Sequence, residues 1–310
     1  MFTLMKEQTV VDVKGIRFGG QPGENPTVLF GTVFYGREFK VLDGPAFARA
    51  RELIAAQEKI SSQTAVPGIL DVYVKDEKYV EQEIDAVLAA TDRPFAIDSS
   101  DAHVRAKTLE YLSKVGALDR VIYNSLNLGL TLEELDALRK HTPEAAIVLG
   151  YNPRDMGVDG RVDMLVTGAG MLSVPGKGLL EVAKDSGIEK LLLDTGATPF
   201  GSMSAETLRA IPVFKSQFGL PTGCSIHNTL ESWGWMKDLR KTDDEAYRCA
   251  DAAANSMVPM YCGDFIVYGP VSSCGRIFPS IAFADKLMAE GAVDYFGLKV
   301  SEKHPYHALK

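Results

Sequence analysis

Three apolar runs end on a carboxylate or a carboxamide: Phe95–Ser99 (FAIDS), Val121–Ser125 (VIYNS) and Leu191–Gly196 (LLLDTG). A strand that is buried on both faces has no reason to end on Asp or Asn unless that side chain has a partner. In a barrel of alternating strands and helices, the carboxyl ends of the strands form the active site. The three endings therefore predict polar side chains gathered at one barrel mouth.

Apolar runs alternate with amphipathic ones along the whole chain. The predicted strands are Val28–Phe34, Ile69–Val74, Phe95–Ser99, Val121–Ser125, Ala146–Tyr151, Lys190–Thr195, Thr222–Ile226 and Phe265–Tyr268. Eight strands with helices between them favour an α/β fold, a single (β/α)8 TIM barrel, over a doubly wound sheet. We predict one domain over residues 1–310.

Residues 1–27 are predicted to form a short N-terminal β-hairpin and a lead-in to the barrel. Val10–Val13 and Ile16–Phe18 flank the turn pair Lys14-Gly15, and this hairpin would close the bottom of the barrel. Gly19–Pro26 indicates a rigid turn. It is not a phosphate-binding loop, because it precedes a strand and lacks the Lys-Ser/Thr ending.

Several helices are indicated by their spacing or their caps. One places apolar residues at i, i+4, i+7 and i+8: Val80, Ile84, Val87 and Leu88. Thr131 with Glu134 three residues later is a capping-box signature, and another helix is predicted from Asp244. Residues 150–178 are glycine-rich and are predicted to form a long loop. The polar tail that carries His304 and His307 is expected to fray.

The composition limits the classes of partner. The chain has 310 residues, of which 46% are hydrophobic and 24% charged, and its formal net charge is −8. An acidic surface argues against nucleic acid or an anionic membrane as the main partner. The four cysteines contain no CxxC pair, so we predict no metal site. With no signal peptide and no apolar run long enough to span a bilayer, we predict a cytoplasmic protein.

Asp98, Asn124 and Asp194 are the first candidate binding residues. Carboxylates accept hydrogen bonds from amine and ring N–H groups, and a carboxamide can both donate and accept. Such a set suits the edge of a flat, nitrogen-rich heterocycle such as a pterin. The alternative is that strand-end Asp and Asn cap the following helices, as Asp98 or Asp101 would do. Three endings in register favour the binding interpretation.

His227 and Asn228 follow the seventh predicted strand and are the candidate catalytic residues. A histidine can move a proton near neutral pH. An asparagine can hydrogen-bond a ring nitrogen in either of its protonation states. The alternatives are a hydrogen-bonded, partly buried His227 and a helix-capping Asn228. Trp233 and Trp235 could offer an apolar platform to a macrocycle or partner, or could serve helix packing.

Several reaction classes lack their motifs. No predicted strand ends on His-x-His or on a lysine, and no Gly-x-Ser-x-Gly elbow occurs. Metal-dependent barrel hydrolysis, Schiff-base chemistry and serine hydrolysis are therefore disfavoured. The nucleophile and the electrophile are expected to come from two bound ligands.

The ladder Ile97–Ser99, Tyr123–Ser125 and Leu193–Gly196 resembles the pterin-binding barrel superfamily, which includes dihydropteroate synthase and the methyltetrahydrofolate:corrinoid methyltransferases. With Phe18–Glu24 and Leu118–Arg120, the chain looks closest to the family of the H subunit of tetrahydromethanopterin S-methyltransferase. It looks equally close to the bacterial relatives of that family, which pass methyl groups between corrinoid proteins and tetrahydrofolate. The lysine-containing motif of the seventh strand of dihydropteroate synthase is absent, so that activity is disfavoured.

The resemblance implies that Asp98, Asn124 and Asp194 hold the pterin, with Ser99 and Gln21 as further binding residues. It places Asn228 near the methyl-bearing pterin nitrogen. The chain has no Asp-x-His-x-x-Gly cobalamin-binding motif, so the corrinoid is expected to arrive on a separate corrinoid protein. A homodimer follows from family analogy alone.

The function implied is methyl transfer between protein-bound methylcobalamin and a reduced pterin. Tetrahydrofolate, giving 5-methyltetrahydrofolate, is the first expectation for the pterin. The alternative is a tetrahydromethanopterin-specific H subunit of a membrane-associated methyltransferase complex. An alternative of another class is a non-catalytic subunit that binds the pterin or the corrinoid protein. In each catalytic case the protein would position two large ligands and control one proton.

Overall fold

The computed structural model describes residues 3–171 and 173–310; residues 1, 2 and 172, including the start of the predicted lead-in, lie outside that description. The strands are β1 (Val10–Val13), β2 (Ile16–Gly19), β3 (Val28–Val33), β4 (Gly68–Tyr73), β5 (Phe95–Asp98), β6 (Val121–Leu126), β7 (Ala145–Leu149), β8 (Leu191–Asp194), β9 (Thr222–Cys224) and β10 (Phe265–Pro270). Strands β3 to β10 pair in parallel and in chain order, and β10 closes the barrel against β3. The predicted eight-stranded α/β barrel is confirmed.

Helices cover the outside of the barrel. In the described part of the chain, two α-helices follow β7 and three follow β9 before the next strand begins. The helices are α1 (Gly44–Thr64), α2 (Val80–Ala90), α3 (Ala102–Lys114), α4 (Leu132–Lys140), α5 (Val158–Val166), α6 (Leu179–Asp185), α7 (Glu206–Phe218), α8 (Ile226–Ser232), α9 (Gly234–Thr242), α10 (Asp244–Met260), α11 (Cys274–Phe296) and α12 (Pro305–Ala308). Among the described residues, no helix is both long and apolar enough to cross a membrane.

The barrel interior is apolar at its centre and polar at its mouth. Five of the interior apolar side chains are Phe30, Ile69, Ala96, Ile122 and Leu192. The residues two positions further along the same strands are Thr32, Asp71, Asp98, Asn124 and Asp194. Because side chains alternate across a strand with a period of two, both sets point into the barrel. The polar set, which we call the polar layer, therefore lies on an apolar floor.

The N-terminal hairpin packs against the opposite end of the barrel interior. Strands β1 and β2 pair antiparallel, as predicted. The ring of Phe18 lies 5.9 Å from that of Phe30, which in turn lies 5.6 Å from that of Phe265. The fully buried Lys215 donates to the Gly20 carbonyl over 3.1 Å and to Asp264, the residue before β10, over 2.7 Å. The hairpin thus closes the barrel at the amino ends of its strands.

The predicted helix signals are confirmed. Helix α2 buries Val80, Ile84 and Val87 on one face. Thr131 caps α4, and both hydrogen bonds of its capping box with Glu134 are present. Helix α10 begins at the predicted position. Strand β9 is shorter than predicted, because Ile226 already belongs to α8.

Two sequence expectations are wrong. Residues 150–178 are not one loop, because they contain α5. Gly160 obscured this helix, and only glycine fits there, since a Cβ atom would lie 2.2 Å from the Asp155 carbonyl oxygen. His304 is not in a frayed tail. It is fully buried, its Nδ1 accepts from the Tyr306 N–H over 3.0 Å, and burial lowers its pKa to about 4.

Glu83 on α2 generates a prediction about stability. Its side chain is fully buried, neither carboxylate oxygen has a hydrogen-bond partner, and burial raises its pKa to about 8 from an ordinary value of 4.5. A raised pKa means that the folded state retains a proton that the unfolded chain has lost. The free energy of unfolding should therefore fall as pH rises from about 4.5 to 8, at about 1.4 kcal/mol for each unit of pKa difference.

Glu83→Gln should remove this contribution, giving a flatter dependence of stability on pH and a higher Tm than wild type at pH 8. Thermal and urea unfolding between pH 5 and 8 would measure it. The exposed Glu81, on the same helix, supplies the matched control Glu81→Gln. An unchanged slope in Glu83→Gln would contradict the prediction.

Candidate functional site

A cavity of about 1310 Å³ opens at the carboxyl ends of the barrel strands. The polar layer lines the bottom of this cavity, and the segments after β7, β8 and β9 form much of its wall. The lining includes Thr32, Asp71, Asp98, Ser99, Asn124, Tyr151, Asp194, Ser225, His227, Asn228, Lys237 and Arg240. The structure therefore brings Asp98, Asn124 and Asp194 to one site together with Ser99, His227 and Asn228.

Asp71 belongs to this site but was not predicted. It is 1% exposed and accepts hydrogen bonds from Thr32 Oγ1 at 2.9 Å and from Asn124 Nδ2 at 3.1 Å. The sequence did carry a signal, namely an aspartate in the middle of the apolar strand β4. A buried carboxylate in mid-strand requires partners just as a strand-end carboxylate does. The bond to Asp71 also fixes the orientation of the Asn124 amide.

Asp71 and Asp98 form an electrostatically coupled pair. Burial raises the pKa of both carboxyls, and the neighbouring charge of Asp71 raises that of Asp98 further. Hydrogen bonds from Asn124 and Thr32 oppose the shift at Asp71, and the charge of Arg105 opposes it at Asp98. Two carboxyls so close resist simultaneous ionisation. The pair can therefore offer a ligand both a carboxylate acceptor and a carboxylic acid donor.

Asp194 is the third carboxyl of the site. It is 6% exposed and accepts from the Gly196 N–H over 2.7 Å. Burial raises its pKa to about 6, against the lowering effects of the Gly196 N–H, Arg161 and Ser225. Gly196 has φ +81° and lies against Tyr151, where a Cβ atom would be 3.0 Å away, so the turn requires glycine. Asp194 is thus mostly ionised at neutral pH.

The helix-capping alternative does not hold for Asp98. Asp101 caps α3 by accepting from the His103 N–H over 2.9 Å, and Ser99 Oγ accepts from the Asp101 N–H over 3.2 Å. Asp98 remains available to a ligand, and the buried Ser99 supports the turn beside it.

Gln21 is not brought to the mouth. Its side-chain amide exchanges two 2.9 Å hydrogen bonds with the backbone of Leu4. The adjacent Gly20 carbonyl accepts from Lys215 at the closed end of the barrel. Gln21 therefore joins the N-terminal segment to the hairpin, and we leave it out of the proposed binding site.

His227 is held in a hydrogen-bonded chain. Its Nδ1 lies 2.8 Å from Asp251 Oδ1, and Asp251 Oδ2 accepts from Arg276 Nη2 over 2.7 Å. Burial acts to raise the pKa of Asp251, but His227 and Arg276 outweigh it and the pKa is lowered. A Cβ atom on Gly269 would lie 2.6 Å from His227 Nε2, so glycine makes room for the ring. An ionised Asp251 favours a proton on Nδ1 and leaves Nε2 available.

Asn228 is exposed on the first turn of α8 and lines the cavity. It is not the cap of this helix, since the residue at the cap position is Ser225. His227 and Asn228 therefore both reach the cavity wall from one short helix. The capping alternative does not hold for Asn228, whereas His227 is buried and hydrogen-bonded, as its alternative interpretation predicted.

Three aromatic residues stand within two positions along the chain of the cavity-lining residues Pro199, Glu231 and Lys237. We call them the aromatic rim: Phe200, Trp233 and Trp235. The Phe200 and Trp233 rings stack at 4.5 Å, and the Trp233 and Trp235 rings lie 5.0 Å apart. Phe200 is 53% and Trp235 56% exposed, so both side chains are accessible to solvent.

Solved structures share the fold at low sequence identity. Dihydropteroate synthase of Yersinia pestis in complex with a sulfonamide drug aligns with a TM-score of 0.61 and 13% identity, over 91% of this chain and 100% of that one. Dihydropteroate synthase of Coxiella burnetii with pteroic acid aligns with a TM-score of 0.58 and 13% identity, over 93% of this chain and 100% of that one. These likenesses show the barrel fold alone.

Sequence comparison identifies the family. The profile of the family described as "Tetrahydromethanopterin S-methyltransferase MtrH subunit" matches residues 6–299. The H subunit of tetrahydromethanopterin S-methyltransferase from Methanothermobacter marburgensis is 39% identical over 313 residues, and the H subunit of the putative methyltransferase mtx from Methanosarcina mazei is 36% identical; both alignments cover 100% of each chain. The chain therefore belongs to the MtrH family of methyltransferase subunits.

Proposed function

We propose that this protein transfers a methyl group between a reduced pterin bound in the polar layer and a corrinoid carried by a partner protein. The observation that carries the proposal is the set of buried carboxyl and amide groups on an apolar floor, in a chain of the MtrH family. Relatives are named for tetrahydromethanopterin, which favours that pterin over tetrahydrofolate, the first expectation from the sequence.

The pterin edge presents an exocyclic amine and ring N–H groups, and these need acceptors. Asp98 and Asp194 supply carboxyl oxygens that can accept these bonds, and Asn124, whose amide is oriented by Asp71, pairs with a group that both donates and accepts. The apolar floor below removes competing water. Ligands that cannot make these bonds leave buried polar groups unpaired, and the site rejects them for that reason.

The reacting nitrogen needs a controlled proton, because an amine is a poor leaving group until it is protonated. We assign this control to the side of the cavity formed by His227 and Asn228. His227, oriented by Asp251, would give or take the proton through Nε2. Asn228 would hydrogen-bond the nitrogen in either protonation state. No covalent intermediate on the protein is required.

The partner's corrinoid would dock over the open mouth, with the aromatic rim as an apolar contact surface. When bound, its cobalt would supply the site that exchanges the methyl group. The chain's own role is to hold the pterin nitrogen in line and to leave the mouth wide enough for a second large ligand. The expected homodimer stays a prediction.

Asp98→Asn should weaken the binding of tetrahydromethanopterin about 10- to 100-fold, because it replaces a buried carboxyl group, which together with Asp71 offers the ligand both an acceptor and a donor, by an amide. Isothermal titration calorimetry would measure the dissociation constant. The exposed Asp92 offers the control Asp92→Asn, which should bind as wild type does. Unchanged affinity in Asp98→Asn would remove this residue from the pterin site. Tighter binding of tetrahydrofolate than of tetrahydromethanopterin would reverse the assignment of the pterin.

His227→Gln should lower the single-turnover rate of methyl transfer about 100-fold or more while the pterin Kd changes little, because it removes a proton carrier and keeps a polar side chain. Asp251→Asn should lower the rate by a smaller factor. The exposed His307 provides the control His307→Gln. A normal transfer rate in His227→Gln would end its proposed role.

Trp235→Ala should raise the KM for the methylated corrinoid protein about tenfold, since exposed aromatic residues dominate many contact surfaces, and should leave the pterin Kd unchanged. Tyr295, 80% exposed on α11, gives the matched control Tyr295→Ala. An unchanged KM for Trp235→Ala would mean that the partner docks elsewhere. Binding of both ligands without transfer by the wild-type protein would instead support a binding-subunit role.

A further inference from the structure

Arg161 on α5 is buried behind the turn that follows Asp194. It is 1% exposed and its Nε donates to the Met156 carbonyl over 2.9 Å. Its Nη1 donates to the carbonyls of Thr195 and Gly196, the two residues that come directly after Asp194. Its Nη2 is buried without a hydrogen-bond partner. Burying a guanidinium with one nitrogen unpaired costs folding free energy, so we expect Arg161 to have a role beyond packing.

Arg105 provides a comparison within the same molecule. Its guanidinium lies behind Asp98 and donates to the carbonyl of Ser99. Its charge, however, is balanced by Glu134, whose Oε1 lies 2.6 Å from Nε. Within the described residues, Arg161 forms no comparable ion pair with a carboxylate. Its charge is thus less compensated than that of Arg105.

The groups around Arg161 leave Asp194 as its main electrostatic counterpart. Glu206 on α7 is already paired with Arg209 at 3.1 Å. Burial raises the pKa of the Cys224 thiol on β9 far above neutrality, so it carries no charge. Tyr151 contributes a phenol and Ser225 an alcohol, and neither side chain is a carboxylate. Burial lowers the pKa of Arg161, but a guanidinium starts so high that it stays protonated.

We propose that Arg161 is a positioning residue that fixes the turn after Asp194 and keeps the Asp194 carboxyl ionised, so that it can accept N–H groups of the pterin. This inference rests on the proposed function, because it assigns Asp194 to pterin binding. Arg161 lies outside the cavity lining, and no sequence pattern indicated a role for it.

The expected sign of the effect follows from the charges. Burial raises the pKa of Asp194 to about 6, and Arg161 is among the groups that hold it down. Removing the guanidinium should raise this pKa further, and an adjacent opposite charge is typically worth about 1 to 3 pH units. At pH 7 the carboxyl would then be largely protonated. Binding should weaken there and recover at higher pH.

The experiment measures the Kd of tetrahydromethanopterin between pH 5 and 9.5 for wild type, Arg161→Gln, Arg161→Lys and Arg209→Gln. Wild-type affinity should fall below about pH 6. Arg161→Gln should bind about tenfold or more weakly at pH 7 and regain affinity towards pH 9, with its midpoint raised by about 1 to 3 units. Arg161→Lys keeps the charge and should keep the wild-type midpoint, even if binding is weaker. Arg209→Gln removes an exposed positive charge away from Asp194, and this variant should also keep the wild-type midpoint.

Each outcome decides the matter. A wild-type midpoint in Arg161→Gln would overturn the inference while leaving pterin binding intact. If Arg161→Gln does not fold, Arg161→Lys still tests the claim, because a midpoint shift of one unit or more despite the retained charge would overturn it. Asp194→Asn in the wild-type background should remove the midpoint from whatever binding remains; a midpoint that persists would show that another carboxyl of the site titrates and would overturn the inference. Absence of binding by wild type at every pH would instead refute the proposed function, and this inference with it.

Discussion

The burial of charge on an apolar floor is the constraint on which the rest of the site depends. Asp71, Asp98 and Asp194 lie at or near the ends of strands whose preceding inward residues are wholly apolar. Carboxylates cannot remain there without partners. The structure supplies a few partners and leaves the rest of their hydrogen-bonding capacity directed at the cavity, which is the condition for selective binding of a ligand rich in N–H groups.

Neighbouring side chains and turns supply hydrogen bonds to these carboxyl groups and to the backbone beside them. Thr32 and Asn124 hydrogen-bond Asp71, and the turn at Gly196 supports Asp194. The buried guanidiniums of Arg105 and Arg161 hold the carbonyls that follow the strand ends. These contacts hold the polar layer in place, whereas the wall after β9 carries His227 and Asn228, and Trp233 and Trp235 follow them along the chain. Recognition and proton control are thus assigned to different parts of one mouth.

Sequence reasoning predicted the barrel and the three strand endings because both follow from short-range patterns. Apolar runs of strand length recur along the chain, and Asp98, Asn124 and Asp194 stand where such runs stop. Asp71 was missed because it sits inside its run. Arg161 was missed because the two carbonyls that connect it to the turn after Asp194 are more than thirty residues away, which no local pattern encodes.

The central claim is that the polar layer binds the pterin ring, and a crystal structure of the protein with tetrahydromethanopterin tests it most directly. The account predicts the ring edge within about 3 Å of Asp98, Asn124 and Asp194, with the methyl-bearing nitrogen facing His227 and Asn228. A pterin bound away from these three side chains, or an ordered ring whose amino edge faces solvent, would contradict it.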